Sequence, residues 1–126
     1  MLFRSNVRFW AATVGASAAE VDSAMSRMRL DGRLATVRAG RMSAGQRRRC
    51  ALASLLVRRA ELWLLDEPHA GLDAAGRDEL DSVVRDAVRA GATVMIASHE
   101  LERASGLATR QVTVDGGTVR APGGRQ

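Results

Sequence analysis

The sequence contains no lysine, and all 19 of its basic residues are arginines. A phosphate-binding loop of the form Gly-x-x-x-x-Gly-Lys-Ser/Thr needs its lysine to reach the terminal phosphates of a nucleotide. The 126 residues therefore exclude a conventional loop of this kind, whatever other phosphate-binding features they contain.

Cysteines, aromatic residues and long apolar runs are scarce as well. A single cysteine cannot form an internal disulfide, which excludes a small secreted scaffold held together by disulfides. Aromatic residues make up only 3% and tyrosine is absent, so base-stacking nucleic-acid binding is not expected despite the net charge of +5. No apolar run approaches the roughly 20 residues of a membrane span, and no signal peptide is visible. These absences predict a soluble, cytosolic chain.

What is present is typical of one folded domain, with 46% hydrophobic and 26% charged residues. Apolar residues recur at helical spacing over residues 6–14, which predicts a first helix. Capping boxes at Ser17 and Ser43 predict two further helices, the second of them reaching about Arg59. Residues 32–41 between these helices are expected to form a basic loop.

The second half alternates strands and helices. Residues 62–65 and 93–97 are short apolar runs that predict strands buried on both faces. A long helix capped by Asp73 is expected between them and a shorter one near residues 100–107, while residues 115–117 predict a hairpin turn. The buried face of the long helix is expected to carry Leu80, Val83, Val84, Ala87 and Val88.

This pattern predicts an α/β fold in which a helical subdomain precedes parallel strands flanked by helices. The expected boundaries are residues 1–59 for the helical subdomain, 60–120 for the α/β part ending in a β-hairpin, and 121–126 for a loose tail. Two parallel strands cannot cover their own hydrophobic faces, so the sheet is expected to be incomplete.

Four short segments, in a fixed order, carry the residues that are candidates for catalysis or ligand binding. They are Met-Ser-Ala-Gly-Gln at residues 42–46, Leu-Trp-Leu-Leu-Asp-Glu at 62–67, Ala-Gly-Leu-Asp at 70–73 and Ser-His at 98–99. In order and spacing they resemble the signature, the Walker B strand, the D-loop and the switch histidine of ABC-type ATPases. The resemblance covers roughly residues 6–120 and implies part of a P-loop-NTPase-like ABC ATPase core.

The resemblance assigns a nucleotide contact to the signature residues, which are Ser43, Ala44, Gly45 and Gln46. In this family they touch the γ-phosphate of an ATP molecule held by the opposite subunit of a dimer. The assignment is chemically sensible, because a helix N-terminus attracts anions and a glycine allows the backbone to approach a phosphate. Asp73 matches the D-loop aspartate that crosses the dimer interface, and it can also cap the next helix.

The resemblance also assigns the catalytic groups. Asp66 and Glu67 follow an apolar strand, at the edge where open α/β sheets bind ligands. In the family, Asp66 would be the carboxylate on the Mg²⁺ side of the site, acting through water, and Glu67 would be the general base toward the attacking water. His99 would contact the γ-phosphate.

Each of these residues also has a plainer interpretation. Taken alone, Ser43 would be a helix cap, and His99 a capping or packed side chain. Asp66 and Glu67 would be two surface acids in a turn. The occurrence of all four motifs in order favours the functional interpretation.

Other residues receive structural interpretations. His69 stands where the family usually has threonine or another small residue, and we expect a loop substitution and not a second catalytic histidine. Cys50 is expected to be a small buried hydrophobe. The three arginines after the signature, Arg47, Arg48 and Arg49, are expected to be solvated.

Within the ABC family, residues 7–10, 43–49 and 62–68 are similar to the ATPases of bacterial cytochrome c biogenesis haem exporters. The resemblance implies an ATP-hydrolysing exporter subunit that pairs with a second ATPase subunit. Integral membrane subunits would hold it at the inner face of the cell membrane and set the transported substrate. Two alternatives stay open, namely a half of a non-transport ABC ATPase and an inactive, truncated interaction module. Because the P-loop is missing, we expect a C-terminal fragment that is inactive by itself.

Overall fold

The computed structural model describes residues 2–121, in which three helices precede an α/β segment and a hairpin. Two short 3₁₀ turns, Gly32–Thr36 and Ala39–Arg41, lie within the predicted basic loop. The helices and strands in chain order are α1 (Phe3–Thr13), α2 (Ala18–Arg27), α3 (Ala44–Arg58), β1 (Leu62–Asp66), α4 (Ala74–Arg89), β2 (Thr93–Ala97), α5 (Leu101–Leu107), β3 (Thr113–Asp115) and β4 (Thr118–Arg120).

The helical part begins earlier than the sequence pattern predicts. Helix α1 starts at Phe3, whose side chain is fully buried and whose backbone N–H donates to the Val37 carbonyl at 3.1 Å. The predicted start at residue 6 was wrong, because this tertiary contact extends the helix beyond its periodic stripe. Val14 was assigned to the stripe but is exposed after the end of the helix.

The predicted capping box of α2 is confirmed. The Ser17 hydroxyl accepts from the Glu20 N–H at 3.2 Å, while the Ser17 N–H donates to the Glu20 carboxylate at 2.8 Å. These reciprocal bonds satisfy two backbone N–H donors that a helix start otherwise leaves free.

Strands β1 and β2 pair in parallel, with Leu62 opposite Thr93 and Asp66 opposite Ala97. One face of the pair packs on the core through the buried Trp63 and the partly buried Leu65, Val94 and Ile96. The other face is open, since Leu64 is 68% exposed and Met95 61% exposed. The prediction of burial on both faces was therefore wrong for the described chain, because its helices cover only one side of the sheet.

The core joins the three N-terminal helices to α4. Leu80, Val83 and Val84 of α4 are buried as predicted, and Ala87 is partly buried. Val88 was predicted to face inward but is 46% exposed, although its neighbour Ala87 in the last turn of the helix packs against the core.

The C-terminal hairpin forms where the sequence predicts it. Asp115 pairs with Thr118 across a two-residue turn of Gly116 and Gly117, both of which have positive φ angles. Such turns match the twist of the flanking strands and favour glycine. The predicted tail lies outside the described residues except for Ala121. None of the helices between residues 2 and 121 combines the length and apolarity that a membrane crossing requires.

Candidate functional site

The start of α3 carries the signature-like residues. Ser43 caps the helix: its hydroxyl accepts from the Gln46 N–H at 3.1 Å, and its own N–H donates to the Gln46 side-chain oxygen at 2.9 Å. The predicted capping box is thus confirmed. Ser43 and Ala44 are exposed, and Gly45 and Gln46 are partly exposed, so this helix start is accessible from solvent.

Gly45 places the helix start directly against the loop that follows β1. A Cβ atom added to Gly45 would lie 2.8 Å from the carbonyl oxygen of Gly71, closer than real Cβ atoms approach oxygen. Only a glycine allows this backbone contact. The structure therefore brings the signature residues next to the D-loop residues, two motifs that are well separated along the sequence.

Asp66 and Glu67 lie at the carboxyl end of β1, as the sequence predicts. Glu67 adopts a left-handed backbone with φ of 43°, and its N–H donates to the Ala97 carbonyl at 2.8 Å. A non-glycine residue in this region costs about 1–2 kcal/mol, which the surrounding contacts must offset. One such contact comes from Arg48, whose guanidinium donates to the Glu67 carbonyl.

The turn at Glu67 brings its carboxylate to the end of β2. Its Oε1 accepts from the backbone N–H of His99 at 2.9 Å, and its Oε2 lies 3.5 Å from the Ser98 hydroxyl. The His99 Nε2 lies 3.5 Å from the same Oε1, while the His99 side chain is 99% exposed. The two predicted catalytic residues thus meet. Ser98, which the sequence analysis did not select as a site residue, belongs to the same cluster.

Asp73 caps α4, as the sequence predicts. Its Oδ1 accepts from the Gly76 N–H at 2.9 Å and from the Arg49 guanidinium at 2.7 Å. The Gly76 hydrogen bond, with the charge of Arg49 adding to it, holds the pKa of the Asp73 carboxyl below its ordinary value. Asp73 therefore remains an exposed anion beside the signature helix.

The three arginines of α3 are engaged and not simply solvated, so that expectation was wrong. Arg47 donates to the Met42 carbonyl at 2.7 Å, Arg48 to the Glu67 carbonyl, and Arg49 to Asp73. Consecutive helical residues point in different directions, and the chain before and beyond the helix passes close enough to meet all three. Two of the acceptors are backbone carbonyls, which leave no signal in the sequence.

His69 lies in the loop after Glu67, as expected, but it is deeply buried, with 1% of its side chain exposed. Its Nε2 lies 2.7 Å from Asp81 Oδ1. Nearby, Arg77 links the same loop to the segment after His99: it donates to the Leu72 carbonyl at 3.1 Å and to Glu100 at 2.7 Å. The sequence analysis missed both links.

The residues present fit a magnesium ion bound mainly through water and phosphate. Within residues 2–121, no group of three or more His, Cys, Asp or Glu side chains forms a metal-binding cluster. Asp66 presents one exposed carboxylate at the edge of the sheet. Mg²⁺ keeps several waters and is commonly held by one or two carboxylates together with substrate phosphates.

Known proteins resemble this chain in both sequence and fold. A family model described as ABC transporter matches residues 2–70. The cytochrome c biogenesis ATP-binding export protein CcmA of Rhodospirillum rubrum is 37% identical over 121 residues, 96% of this chain and 47% of the relative. CcmA of Hyphomonas neptunium is 41% identical over 97 residues, 77% of this chain and 49% of the relative. The chain thus spans about half the length of these relatives.

The fold is also that of a solved protein. A structure described as the ATP-binding subunit of an ABC transporter superposes with a TM-score of 0.80 over 97% of this chain and 53% of the other, at 21% identity. The predicted fold class is thereby confirmed. The family model matches more than half of the chain, so the chain belongs to the ABC transporter family.

Proposed function

We propose that the chain provides the signature, Walker B, D-loop and switch segments of an ATP-hydrolysing subunit in a haem exporter for cytochrome c biogenesis. The observation that carries the proposal is the contact of the Glu67 carboxylate with the His99 N–H at 2.9 Å, beside the exposed Asp66. The identity to CcmA proteins supports the exporter type.

In the proposed mechanism, Glu67 accepts a proton from the water that attacks the γ-phosphate. The His99 N–H fixes one carboxylate oxygen, and the carboxylate keeps further lone pairs for that water. The His99 side chain extends into solvent, where it can contact the phosphate. Asp66 would hold Mg²⁺ through water, and that ion, when bound, neutralises charge on the phosphate oxygens.

The signature residues Ser43, Ala44, Gly45 and Gln46 are proposed to contact ATP bound to a second ATPase subunit. The capping box uses the N–H groups of Ser43 and Gln46, while those of Ala44 and Gly45 lack acceptors within the helix and favour an anion. The three arginines that follow hold the surrounding loops in place. Asp73 is proposed to lie at the interface between the two subunits. Membrane subunits of the exporter would then hold the pair at the inner face of the cell membrane.

We further propose that the 126-residue chain alone does not hydrolyse ATP. It has no lysine, and a lysine and a glycine-rich loop supply many of the phosphate contacts in this class of ATPase. Calorimetry with Mg-ATP and a phosphate-release assay on the purified chain test this directly. Micromolar affinity or steady turnover would contradict it.

The catalytic assignments can be tested in a chimaera in which this chain replaces the matching part of the Rhodospirillum rubrum relative. Glu67→Gln should bind ATP but lose steady-state hydrolysis, because an amide cannot accept the proton. Asp66→Asn should weaken Mg-ATP binding, and Ser43→Arg should prevent nucleotide-dependent dimerisation, which light scattering measures. Asp115→Asn, an exposed carboxylate in the hairpin, is the matched control. Near-normal turnover in the Glu67 variant would overturn the proposed mechanism.

The exporter type needs a separate test. The same chimaera should restore covalently attached haem to c-type cytochromes in cells that lack their own export ATPase. An active ATPase that fails to do so would contradict haem export while leaving the proposed ATPase mechanism standing.

A further inference from the structure

His69, Asp81 and the partly exposed Arg103 form a chain of side-chain contacts that the proposed mechanism does not use. The His69 Nε2 lies 2.7 Å from Asp81 Oδ1, and Arg103 donates to the other oxygen of Asp81 at 2.5 Å. Arg103 also reaches Asp78 at 3.2 Å. The side chains of His69 and Asp81 are 1% and 10% exposed, so the central contact is shielded from water.

These side-chain contacts join three separate segments of the protein. His69 belongs to the loop two residues after Glu67, Asp81 to α4, and Arg103 to α5, which begins two residues after His99. The two outer members therefore hold the segments that carry the proposed base and the switch histidine. A buried carboxylate needs its hydrogen bonds, so loss of either donor leaves Asp81 only partly satisfied.

The contacts of Asp81 determine the tautomer of His69. Asp81 pairs with a guanidinium and is therefore an ionised carboxylate, which only accepts hydrogen bonds. The His69 Nε2 must then carry the proton. The His69 Nδ1 is buried and has no hydrogen-bond partner within residues 2–121. Leaving a bare lone pair without a partner costs less free energy than leaving an N–H without one, which agrees with an unprotonated Nδ1.

We propose that His69, Asp81 and Arg103 are positioning residues that tie the Glu67 loop to α5, the helix following His99. In this way they maintain the hydrogen bond from the His99 N–H to Glu67. We call these three residues and their mutual contacts the lock. The catalytic meaning of this lock rests on the proposed function. The lock itself is a property of the 126-residue chain and is measurable without nucleotide.

The tautomer provides the first test, in the unmodified chain. His69 and His99 are its two histidines, so nitrogen NMR of the imidazoles is simple to assign, with the exposed His99 side chain as a solvent reference. We expect the proton of His69 on Nε2 at neutral pH. A proton on Nδ1 instead would overturn the proposed chain of contacts.

Hydrogen exchange at the His99 amide provides the second test. Arg103→Gln and His69→Leu should each accelerate it about tenfold, because opening the lock exposes an N–H that otherwise bonds to a carboxylate. His69→Gln keeps a donor for Asp81, and Arg103→Lys keeps a cation, so both should retain most of the protection. Arg85→Gln is the matched control, since Arg85 is exposed on α4 and makes no ion pair within residues 2–121.

The same exchange data separate positioning from a general structural role. Amides in α1 should change less than about twofold in every variant, because α1 packs against α2 and α3 and carries no member of the lock. Acceleration spread evenly over the chain would overturn the proposal, and so would a change below about twofold at His99 in both Arg103→Gln and His69→Leu. Near-normal ATP turnover in the Glu67→Gln variant would refute the proposed function and leave this result unaffected.

Discussion

Replacing Gly45 by alanine tests the close contact between the signature helix and the D-loop. The added Cβ would lie 2.8 Å from the Gly71 carbonyl oxygen, and backbone cannot move aside as a side-chain end can. Gly106→Ala is the matched control: Gly106 lies in α5 with an ordinary φ, and a Cβ there has no neighbour within 4 Å.

The expected free energies have opposite signs. Overpacking against a fixed neighbour costs about 1–3 kcal/mol. Alanine in place of glycine within a helix raises the free energy of unfolding by up to about 1 kcal/mol, and by less near a helix end. Gly45→Ala should therefore lower the free energy of unfolding by about 1 kcal/mol. Gly106→Ala should raise it by up to about 0.5 kcal/mol, because Gly106 is the last residue but one of α5.

A third variant separates backbone contacts from side-chain contacts. A Cβ on Gly76 would meet the Arg49 guanidinium and the Asp73 carboxylate, each at 2.8 Å, and both are mobile side-chain ends. The stability of Gly76→Ala should lie between those of Gly45→Ala and Gly106→Ala, because the cost is limited to weakening the ion pair of Arg49 with Asp73 and the cap that Asp73 provides for α4.

Urea denaturation measures the three differences. The buried Trp63, whose indole N–H donates to the Ala60 carbonyl at 3.0 Å, changes its environment on unfolding and so provides the fluorescence signal. The unfolding free energies follow from linear extrapolation at equal m-values. If Gly45→Ala is as stable as Gly106→Ala, the two segments are not in contact, and the argument for a joined site fails.

Three further predictions concern ionisable groups. The Ser17 N–H is the main reason that the pKa of Glu20 falls from 4.5 to about 2, so its stabilisation is complete above pH 4.5 and is lost as the pH falls toward 2. Glu20→Gln should flatten the pH dependence of urea unfolding in that window, and an unchanged slope would contradict the assignment. Arg49→Ala should raise the pKa of Asp73 in a carbon-detected NMR titration, and an unmoved pKa would show that the ion pair is not populated. Burial raises the pKa of Cys50 to about 11, so a thiol reagent at pH 8 should react slowly with the folded chain and rapidly in urea.

The sequence predicted best those features that depend on neighbours along the chain. The capping box of Ser43 with Gln46, the cap at Asp73 and the hairpin turn at residues 115–117 each involve residues that lie within a few positions of one another. Glu67 and His99 each follow a strand of the parallel pair, and they meet because the carboxyl ends of neighbouring parallel strands lie at one edge of the sheet.

The missed features depend on tertiary partners that a sequence pattern does not contain. The early start of α1 depends on the carbonyl of Val37, and Arg48 binds the carbonyl of Glu67. Hydrophobic periodicity depends only on side chains, whereas every residue carries the same backbone carbonyl. The sequence pattern therefore contains no sign of these two contacts. His69 was assigned to a loop, which is correct, but its burial depends on Asp81 from the following helix. The open face of the sheet agrees with the expected incompleteness of the sheet, whereas burial on both faces was predicted wrongly because an apolar strand has the same pattern whether or not both faces are covered.

At Glu67, the proposed role of the residue conflicts with the stability of the chain, because its backbone is left-handed. Glycine would adopt the same φ of 43° without steric cost, and asparagine would do so more easily than glutamate. Either substitution would relax the turn while removing the carboxylate that meets His99. A search guided by thermal stability alone would therefore move away from glutamate at this position, and the most robust variants of this protein would be those least able to do its proposed chemistry.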